Sequence, residues 1–404
     1  MRIGPPVLQE HGDRIRYSVP VGSRAGNTEL WYSVDRAHAD MLSMRADAAL
    51  VALLIPAMQR GEDLHVEGIV SEQLYYNVTG AVQKILQIVI PSLWRIRIDA
   101  DDVQPATGRA PGVAAGFSGG IDSYHVLAEH HYGNPLPGYR LTHLLYNNVG
   151  AHGKLSDTLF PAQYARLAAA TAHLGLPFIT VDSNLTDFYH GFTFQQTHSP
   201  RNLSVPLLLQ NGIGRFFYAS AFDFTATKVQ QAHDLAYCDA VLIPLLGTEA
   251  LDTLSVGSDV TRVEKTLRVA TLEGSYRSLD ICVSTQNTVL AGGDVAAANC
   301  SSCWKCRRSL LTLEIAGYLD RYAQVFDLAV YRRGREWYMA EVLNSDDPLL
   351  REIVAYATAQ GFVFPWRARM AAALRLPELA ATMREGQRLA RRVVRRLRRR
   401  YSRQ

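Results

Sequence analysis

The stretch that decides the fold is Gly116-Phe117-Ser118-Gly119-Gly120-Ile121-Asp122-Ser123. It begins at the end of an apolar run, residues 113–117, that predicts a buried strand, and it leads into a predicted helix that ends near His131. Two adjacent glycines let the backbone approach an anion, and a helix start offers free N–H groups and a positive dipole end. The stretch therefore predicts a turn that binds pyrophosphate; the alternative is a plain strand-to-helix turn.

The polar side chains of this turn suit the same interpretation. Ser118 and Ser123 add hydroxyl donors, whereas Asp122 either caps the helix or holds a Mg²⁺ ion that screens the phosphates. Asn147 follows the next predicted strand and either hydrogen-bonds adenine or ribose or only forms a turn. The predicted nucleotide-binding residues are Ser118, Gly119, Gly120, Ile121, Asp122, Ser123 and Asn147.

Around the turn, predicted strands alternate with predicted helices. The strands are residues 113–117, 141–146, 177–181 and 240–246, and the helices after the first are residues 161–174 and 207–222. Strands separated by helices indicate crossovers and a parallel sheet covered on both faces, which is an α/β fold. Ligands of such sheets bind at the carboxyl ends of the strands, where the glycine turn lies.

Residues 1–110 predict a separate N-terminal α+β domain, with a role in substrate binding or oligomerisation. Its pattern combines strand-like alternation with an apolar helical run, namely strands at 14–19, 29–34 and 64–69 and a helix at 46–58. Residues 101–111 are the predicted linker to the α/β core, which we expect to span residues 111–320.

Residues 321–404 predict a helical C-terminal region that ends in an arginine-rich tail. Residues 384–403 hold ten arginines and one acid, which is a net charge of +9. The whole chain has a net charge of +4, so the residues outside this tail carry about −5. Such a tail binds nucleic acid, anionic lipid or an acidic partner, or it is a solvated helix end. We expect a small-molecule or peptide substrate and a homodimer, and nucleic-acid binding through the tail is the less favoured option.

Composition indicates a globular protein in a reducing compartment. Of 404 residues, 48% are apolar and 20% are charged, and no long apolar stretch predicts a signal peptide or a transmembrane helix. The cysteine count is five, and three of the cysteines fall within seven residues, which does not suit a disulfide framework. These features predict a cytoplasmic protein.

Three of the cysteines form the segment Cys300-Ser-Ser-Cys303-Trp-Lys-Cys306, and Cys282 precedes it by 18 residues. Thiolates at this spacing can wrap one metal ion, and Cys282 is the candidate fourth ligand. Zinc and an iron–sulfur cluster both remain open, with zinc favoured, and four occupied thiolates would make the metal structural. The competing interpretation is a redox or sulfur-carrying set of thiols. Cys238 is expected to be a small buried residue.

The string from Ser118 to Ser123, placed after the first strand of a parallel sheet, resembles the signature of the PP-loop ATP pyrophosphatase superfamily of the N type. The resemblance implies a Rossmann-like core of the adenine nucleotide alpha hydrolase type that binds ATP with Mg²⁺. It also implies adenylation of a carboxylate or amide oxygen and release of pyrophosphate. An amine, ammonia or sulfur nucleophile then displaces AMP.

The cysteine segment adds a narrower resemblance, over residues 112–317. Together with Arg307-Arg308 and a following helix, it is similar to the zinc site of the 7-cyano-7-deazaguanine synthase family. The gap after Cys282 is longer than in that family, and the family's proline-glycine-arginine-asparagine segment appears only as Ser199-Pro200-Arg201-Asn202. The resemblance therefore implies zinc and adenylation, and it does not extend to a deazaguanine product.

Several charged residues are candidates for catalysis. Arg262 and Lys265 fall three apart and would share a helix face, where they could neutralise the leaving pyrophosphate. Arg201, in a predicted loop before a helix, has a similar claim, and His152 is a weaker candidate for a general base. The segment Gly247-Thr248-Glu249 ends the fourth predicted strand and is expected to face the nucleotide. Asp122, Arg201, Arg262 and Lys265 are the predicted catalytic residues.

Three functions are compatible with these patterns. The first is an ATP-dependent ligase that adenylates a carboxylate or amide, which ammonia or an amine then attacks to form an amide or nitrile. The second is a PP-loop sulfur transferase acting on tRNA or a small molecule. The third is a nucleotide-binding regulator that carries out no chemistry. The sequence favours the ligase.

Overall fold

The computed structural model describes residues 1–151, 156–282 and 299–379, grouped into two compact units, Met1–Asp280 and Ile281–Gln404. The strands of the first unit are β1 Arg2–Ile3, β2 Val7–His11, β3 Arg14–Ser23, β4 Gly26–Asp35, β5 Leu64–Ser71, β6 Ile98–Gln104, β7 Gly112–Gly116, β8 His143–Asn147, β9 Phe178–Ser183, β10 Ile213–Ala219 and β11 Asp252–Val256. Its helices are α1 Asp47–Arg60, α2 Glu72–Thr79, α3 Ala81–Val89, α4 Ile121–His130, α5 Ser156–Thr171, α6 His198–Leu208, α7 Asp239–Leu242, α8 Arg262–Ala270 and α9 Ser275–Ser278. In the second unit they are α10 Trp304–Ile315, α11 Leu328–Leu343, α12 Pro348–Ala359 and α13 Trp366–Ala373.

One mixed sheet of eleven strands runs through the first unit, in the order β11-β10-β7-β8-β9-β4-β3-β1-β5-β6, with β2 paired to β3. The five strands from β11 to β9 are all parallel to their neighbours. The predicted parallel α/β sheet is confirmed at this level. Strand β7 is central, because the chain passes to β8 and β9 on one side and then returns to β10 on the other.

Helices cover both faces of this parallel part. The ring of Phe217 lies 4.1 Å from that of His130 on α4, whereas the next side chain, Tyr218, hydrogen-bonds His198 on α6. Because successive side chains of a strand point to opposite faces, α4 and α6 lie on opposite sides of the sheet. Helix α8 packs beside α4, and α1 packs against α6 with residues 47–58 buried throughout.

Residues 1–110 share the sheet of the α/β core. Strand β4 pairs antiparallel with β9 through Tyr32, Ser33 and Val34, and the Tyr32 hydroxyl donates to Ser204 Oγ of α6 at 2.8 Å. The predicted strands and helix of this region are all present. Residues 101–104 of the predicted linker belong to β6, so the predicted boundary near residue 110 does not separate two sheets.

Two predicted elements are wrong. The helix predicted over residues 207–222 is the end of α6 followed by β10, because Asn211 and Gly212 form a turn that the apolar residues on either side conceal. The strand predicted over residues 240–246 consists of α7 and a 3₁₀ turn, Ile243–Leu246. A short apolar run has the same pattern in a buried helix and in a buried strand, so its period could not distinguish them.

Asp47 of α1 connects residues 1–110 to the chain between α6 and β10. Its carboxylate is fully buried, accepts hydrogen bonds from Ser71 N and Oγ at 2.8 and 2.6 Å, and accepts a third from Gln210 Nε2 at 2.9 Å. Burial raises the pKa of this carboxyl. Gln210 in turn accepts a hydrogen bond from Thr248 at 2.9 Å, which fixes the turn before β11.

We expect Asp47→Ala to lower the free energy of unfolding by about 2–4 kcal/mol, because it leaves buried donors of Ser71 and Gln210 unpaired. Chemical denaturation followed by circular dichroism measures this change. The control is Asp40→Ala, at an exposed carboxylate, which should change the free energy by less than about 0.5 kcal/mol. Equal effects of the two substitutions would contradict the role of Asp47.

Candidate functional site

The glycine turn joins β7 to α4 and has the backbone geometry that an anion site needs. Gly119 has a φ of +75°, and a Cβ built on it would lie 2.7 Å from Leu167 Cδ2, so only glycine fits there. Gly120 is the N-cap of α4 and has no side-chain cap, while Ser123 Oγ donates to its carbonyl at 3.0 Å. The N-cap residue of α4 therefore has no side chain that would compete with an anion for the first amide groups of the helix.

The turn also lies where an open parallel sheet binds ligands. The carboxyl ends of β7 and β10 are neighbours, and the chain leaves them in opposite directions along the sheet. A crevice at such a topological switch point is the usual ligand site of this sheet type. The sequence placed the turn at the correct end of a strand but could not identify β10 as its neighbour, because β10 was predicted as helix.

Arg262 and Lys265 meet Asp122 beside the turn. A capping box formed by Thr261 and Glu264 starts α8 and directs both cationic side chains towards α4. Arg262 Nη1 forms an ion pair with Asp122 Oδ2, and Lys265 Nζ lies 3.8 Å from Asp122 Oδ1. The predicted shared face of Arg262 and Lys265 is present, whereas Asp122 does not cap α4, because Gly120 does.

Lys265 links this cluster to the sheet. Its side chain is buried, and its Nζ donates to the carbonyl of Ser220, directly after β10, at 2.7 Å. Burial, with the nearby charge of Lys265, lowers the pKa of His125 on α4. The cluster therefore brings two cations to the switch point, one of them anchored to the end of β10.

Asn147 and Arg201 lie around the turn after β8. Asn147 ends that strand, and its Oδ1 is buried without a hydrogen-bond partner among the described residues. Arg201 is only 3% exposed; its Nη1 donates to the carbonyl of Val149 at 3.1 Å, and its guanidinium lies 3.8 Å from the ring centre of Tyr189. Burial lowers the pKa of Arg201. Arg201 therefore contacts this turn and the aromatic ring of Tyr189, and among the described residues no hydrogen bond or ion pair joins it to the Asp122 cluster.

Two sequence-based expectations have a different outcome, and a third concerns a residue that the structure does not describe. Arg201 lies within α6, not in a loop before a helix. Glu249 accepts hydrogen bonds from the amides of Gln73 and Ala106 at 2.8 and 3.0 Å, and Thr248 is buried against Gln210, so these two residues connect structural elements. His152 lies outside the described residues.

Sequence reasoning missed a polar network on the α6 side of β10. His198 Nδ1 is hydrogen-bonded to the Tyr218 hydroxyl, and His198 Nε2 lies 3.1 Å from Asp234 Oδ1. Ser199 Oγ donates to the buried carboxyl of Asp239 at 2.6 Å. Burial raises the pKa of Tyr218 well above its usual value and raises that of Asp239 to about 6. The residues have no characteristic spacing, so only the fold reveals the network.

The second unit contains the cysteine centre. The sulfurs of Cys282, Cys300, Cys303 and Cys306 all lie within 4.8 Å of one another, and those of Cys300 and Cys306 are 3.9 Å apart. Four sulfurs about 2.3 Å from one ion would be about 3.8 Å apart, so the group could hold a single metal ion such as zinc. The predicted set of four cysteines is brought together as expected. Cys238 is fully buried elsewhere, also as expected.

Local structure shapes this centre. Ser301 has a φ of +58° and its hydroxyl accepts a hydrogen bond from Asp327 N at 2.8 Å, which fixes the bend after Cys300. Cys303 is the N-cap of α10, so Cys303 and Cys306 lie at the positive end of a helix dipole. Cys303 N also donates to Cys300 Sγ at 3.2 Å. Backbone donors and the dipole both stabilise thiolates, the form that binds metal.

Comparison with known proteins gave no match to a family model, to a curated protein or to a solved structure. Within residues 1–151, 156–282 and 299–379, none of the helices combines the length and the apolar character that a bilayer span requires.

The buried carboxyl of Asp239 should make stability depend on pH. Its pKa in the folded state is about 6, above the ordinary value of 3.8, so its contribution is complete below pH 3.8 and is lost as the pH rises through 6. We expect Asp239→Asn, which keeps the acceptor for Ser199, to remove up to about 3 kcal/mol of this dependence. Denaturation at a series of pH values measures it, with Asp40→Asn as the control; an unchanged profile in Asp239→Asn would contradict the assignment.

We expect the purified chain to contain about one equivalent of zinc and Cys306→Ser to lose it, because the fourth thiolate closes the tetrahedral site. Metal analysis after dialysis measures both. Cys238→Ser, at a cysteine outside the centre, should keep the metal. Full metal content in Cys306→Ser would show that Cys306 is not a ligand.

Proposed function

We propose that this chain is an ATP-dependent ligase that adenylates a carboxylate or amide of a small-molecule or peptide substrate, for attack by ammonia or an amine. The observation that carries the proposal is the uncapped start of α4 at the switch point, beside the two cations of α8. Together these provide amide donors and positive charge at one place. A nucleoside triphosphate that loses pyrophosphate requires both, because negative charge builds up on the leaving group.

The proposed roles follow from position. The amides of Gly119, Gly120 and the first turn of α4 bind the phosphates, and Arg262 and Lys265 offset the charge that builds up on pyrophosphate as it leaves. ATP in this role is accompanied by Mg²⁺, for which Asp122 is the candidate ligand, since it is the carboxylate of the turn and its side chain is 26% exposed. The ion would supply charge neutralisation of the phosphates.

With a carboxylate substrate the reaction has two steps. A substrate oxygen attacks the α-phosphorus of ATP, and the bond to pyrophosphate breaks, which gives an acyl-adenylate. The amine nitrogen then attacks the carbonyl carbon, the bond from that carbon to the AMP oxygen breaks, and the nitrogen loses a proton. The Tyr218–His198–Asp234 network near the end of β10 is the candidate path for this proton, because Asp234 is 35% exposed and can pass it to solvent.

The cysteine centre favours the ligase over a sulfur transferase. A sulfur carrier needs a thiol that is open to attack, whereas the four sulfurs of this centre converge on one point. A closed four-thiolate site is structural, since no coordination position remains for a substrate. Chemistry on this chain is therefore assigned to the first unit.

The test combines ATP turnover with a pair of glycine variants. Wild-type protein with ATP, Mg²⁺, ammonia and a panel of carboxylic acids should release pyrophosphate and form AMP-linked adducts detectable by mass spectrometry. We expect Gly119→Ala to reduce the release at least about a hundredfold, because a Cβ at a φ of +75° would meet Leu167 Cδ2 at 2.7 Å and shift the turn that carries the phosphate-binding amides.

Gly175→Ala is the matched control for this variant. Gly175 also has a positive φ, +67°, but a Cβ built on it meets no atom within 4 Å, so it should keep the wild-type rate. Wild-type release by folded Gly119→Ala would contradict the assigned phosphate site, and release of ADP in place of AMP would contradict adenylation.

A further inference from the structure

Arg201 of α6 is a buried cation that has no carboxylate partner among the described residues. Its guanidinium lies 3.8 and 5.6 Å from the ring centres of Tyr189 and Phe194. Its Nη1 donates to the carbonyl of Val149, and its buried Nε has no hydrogen-bond partner. Buried charges in proteins are normally paired with an opposite charge, so this guanidinium has room for an anion that the chain itself does not supply.

Arg215 shows the usual arrangement for a stacked arginine. Its guanidinium also lies over a tyrosine, with the ring centre of Tyr139 3.9 Å away, and its side chain is 15% exposed. Unlike Arg201, it forms an ion pair with a carboxylate, because its Nε lies 3.0 Å from Asp252 Oδ2. The fold therefore gives a carboxylate to the more exposed of these two arginines and leaves the more deeply buried one without.

Arg201 lies at the edge of the sheet that carries the glycine turn. Strands β7 and β8 are neighbours about 5 Å apart, and Phe117 N donates to the carbonyl of Leu145, so the chain that leaves β7 stays beside β8. The turn after β8 approaches the guanidinium closely, since a Cβ built on Gly150 would lie 2.2 Å from Arg201 Nη1. The unpaired cation is therefore next to the glycine turn, at the ends of the strands where such sheets bind ligands.

Asn147 brings an unsatisfied acceptor to the same place. Leu145, two residues earlier in β8, belongs to the same buried cluster as Leu203 of α6. Residues two apart in a strand share a face, so Asn147 also points to the side of the sheet that α6 covers. Its Oδ1 is buried and accepts no hydrogen bond in the described part of the chain. One buried donor and one buried acceptor thus lie unsatisfied on the same face, at the end of β8.

We propose that Arg201 and Asn147 bind the substrate, and that this substrate is a carboxylic acid with an N–H or O–H group beside its carboxylate. The guanidinium binds the carboxylate, and Asn147 Oδ1 accepts a hydrogen bond from the neighbouring group. An amide substrate would leave the cation unpaired, so the site selects the carboxylate. This inference rests on the proposed ligase activity, in which the bound carboxylate lies beside the phosphates that it attacks.

A phosphate of the nucleotide fits this pair of residues less well. Asn147 Oδ1 would then face a phosphate oxygen, which is another acceptor, and would stay unsatisfied. Arg201 donates to the turn after β8, whereas the cations beside the glycine turn are Arg262 and Lys265. A carboxylate with an adjacent donor satisfies both Arg201 and Asn147.

The test uses three small probes in isothermal titration calorimetry, with and without Mg²⁺ and α,β-methylene-ATP, an analogue that cannot release pyrophosphate. N-acetylglycine carries both a carboxylate and an N–H group. N-acetylglycinamide lacks the negative charge, and levulinate has a methylene group in place of the N–H. We expect N-acetylglycine to bind at least about tenfold more tightly than either of the others, because each of them leaves one buried group unpaired.

Two variants assign this selectivity to the two residues. Arg201→Gln removes the charge and should bring the affinities for N-acetylglycine and N-acetylglycinamide to within about twofold of each other. Asn147→Leu, which has a similar shape, should do the same for N-acetylglycine and levulinate. These ratios report recognition, because a loss of packing would weaken the binding of all three probes. The matched control is Arg215→Gln, which should keep both ratios, and circular dichroism verifies that each variant is folded.

Absence of binding by N-acetylglycine, or equal binding of N-acetylglycine and N-acetylglycinamide by the wild-type protein, would overturn the proposal. An unchanged ratio in folded Arg201→Gln would do the same. If this variant bound α,β-methylene-ATP at least about tenfold more weakly and kept the probe ratio, Arg201 would be assigned to a phosphate instead. The titrations without nucleotide separate this inference from the ligase. Selective binding of N-acetylglycine by a protein that releases no pyrophosphate from ATP with any acid would contradict adenylation but not the carboxylate site.

Discussion

Lys265 is a buried amine whose Nζ lies 3.8 Å from Asp122 Oδ1 and donates to the carbonyl of Ser220. A buried charge is costly unless it is paired and hydrogen-bonded, so this arrangement forces α8, the start of α4 and the end of β10 to meet. Their meeting point is the switch point of the sheet. The cost of burying a cation thus fixes the geometry of the candidate nucleotide site.

The same constraint explains why the glycine turn has its conformation. With α4 held by Asp122, the chain must leave β7 and enter the helix within a few residues, past Leu167 and Asp280. Gly119 makes this possible through its positive φ and its missing Cβ. Gly120 is then the N-cap of α4 and brings no side chain that would bind the first amide groups of the helix.

The sequence predicted the features of both units that depend on local pattern. The turn from Ser118 to Ser123, the shared face of Arg262 and Lys265, and the four cysteines of the second unit are local or follow a known spacing. It did not reach β10, because two apolar segments around Asn211 and Gly212 imitate one helix. Without β10, neither the partner of Lys265 nor the Tyr218–His198–Asp234 network could be placed, since both arise from tertiary packing. The shared sheet of residues 1–110 was missed for the same reason, because pairing of β4 with β9 joins residues more than a hundred positions apart.

Transfer of AMP to a substrate oxygen can be tested directly with an oxygen isotope. A carboxylic acid that supports pyrophosphate release is labelled with ¹⁸O in its carboxylate and incubated with the protein, ATP, Mg²⁺ and ammonia. We predict that one ¹⁸O atom per turnover appears in the AMP, because the carboxylate oxygen bonded to the α-phosphorus leaves with AMP when the amine attacks the carbonyl carbon. Unlabelled AMP, or ADP with phosphate, would contradict adenylation at this site.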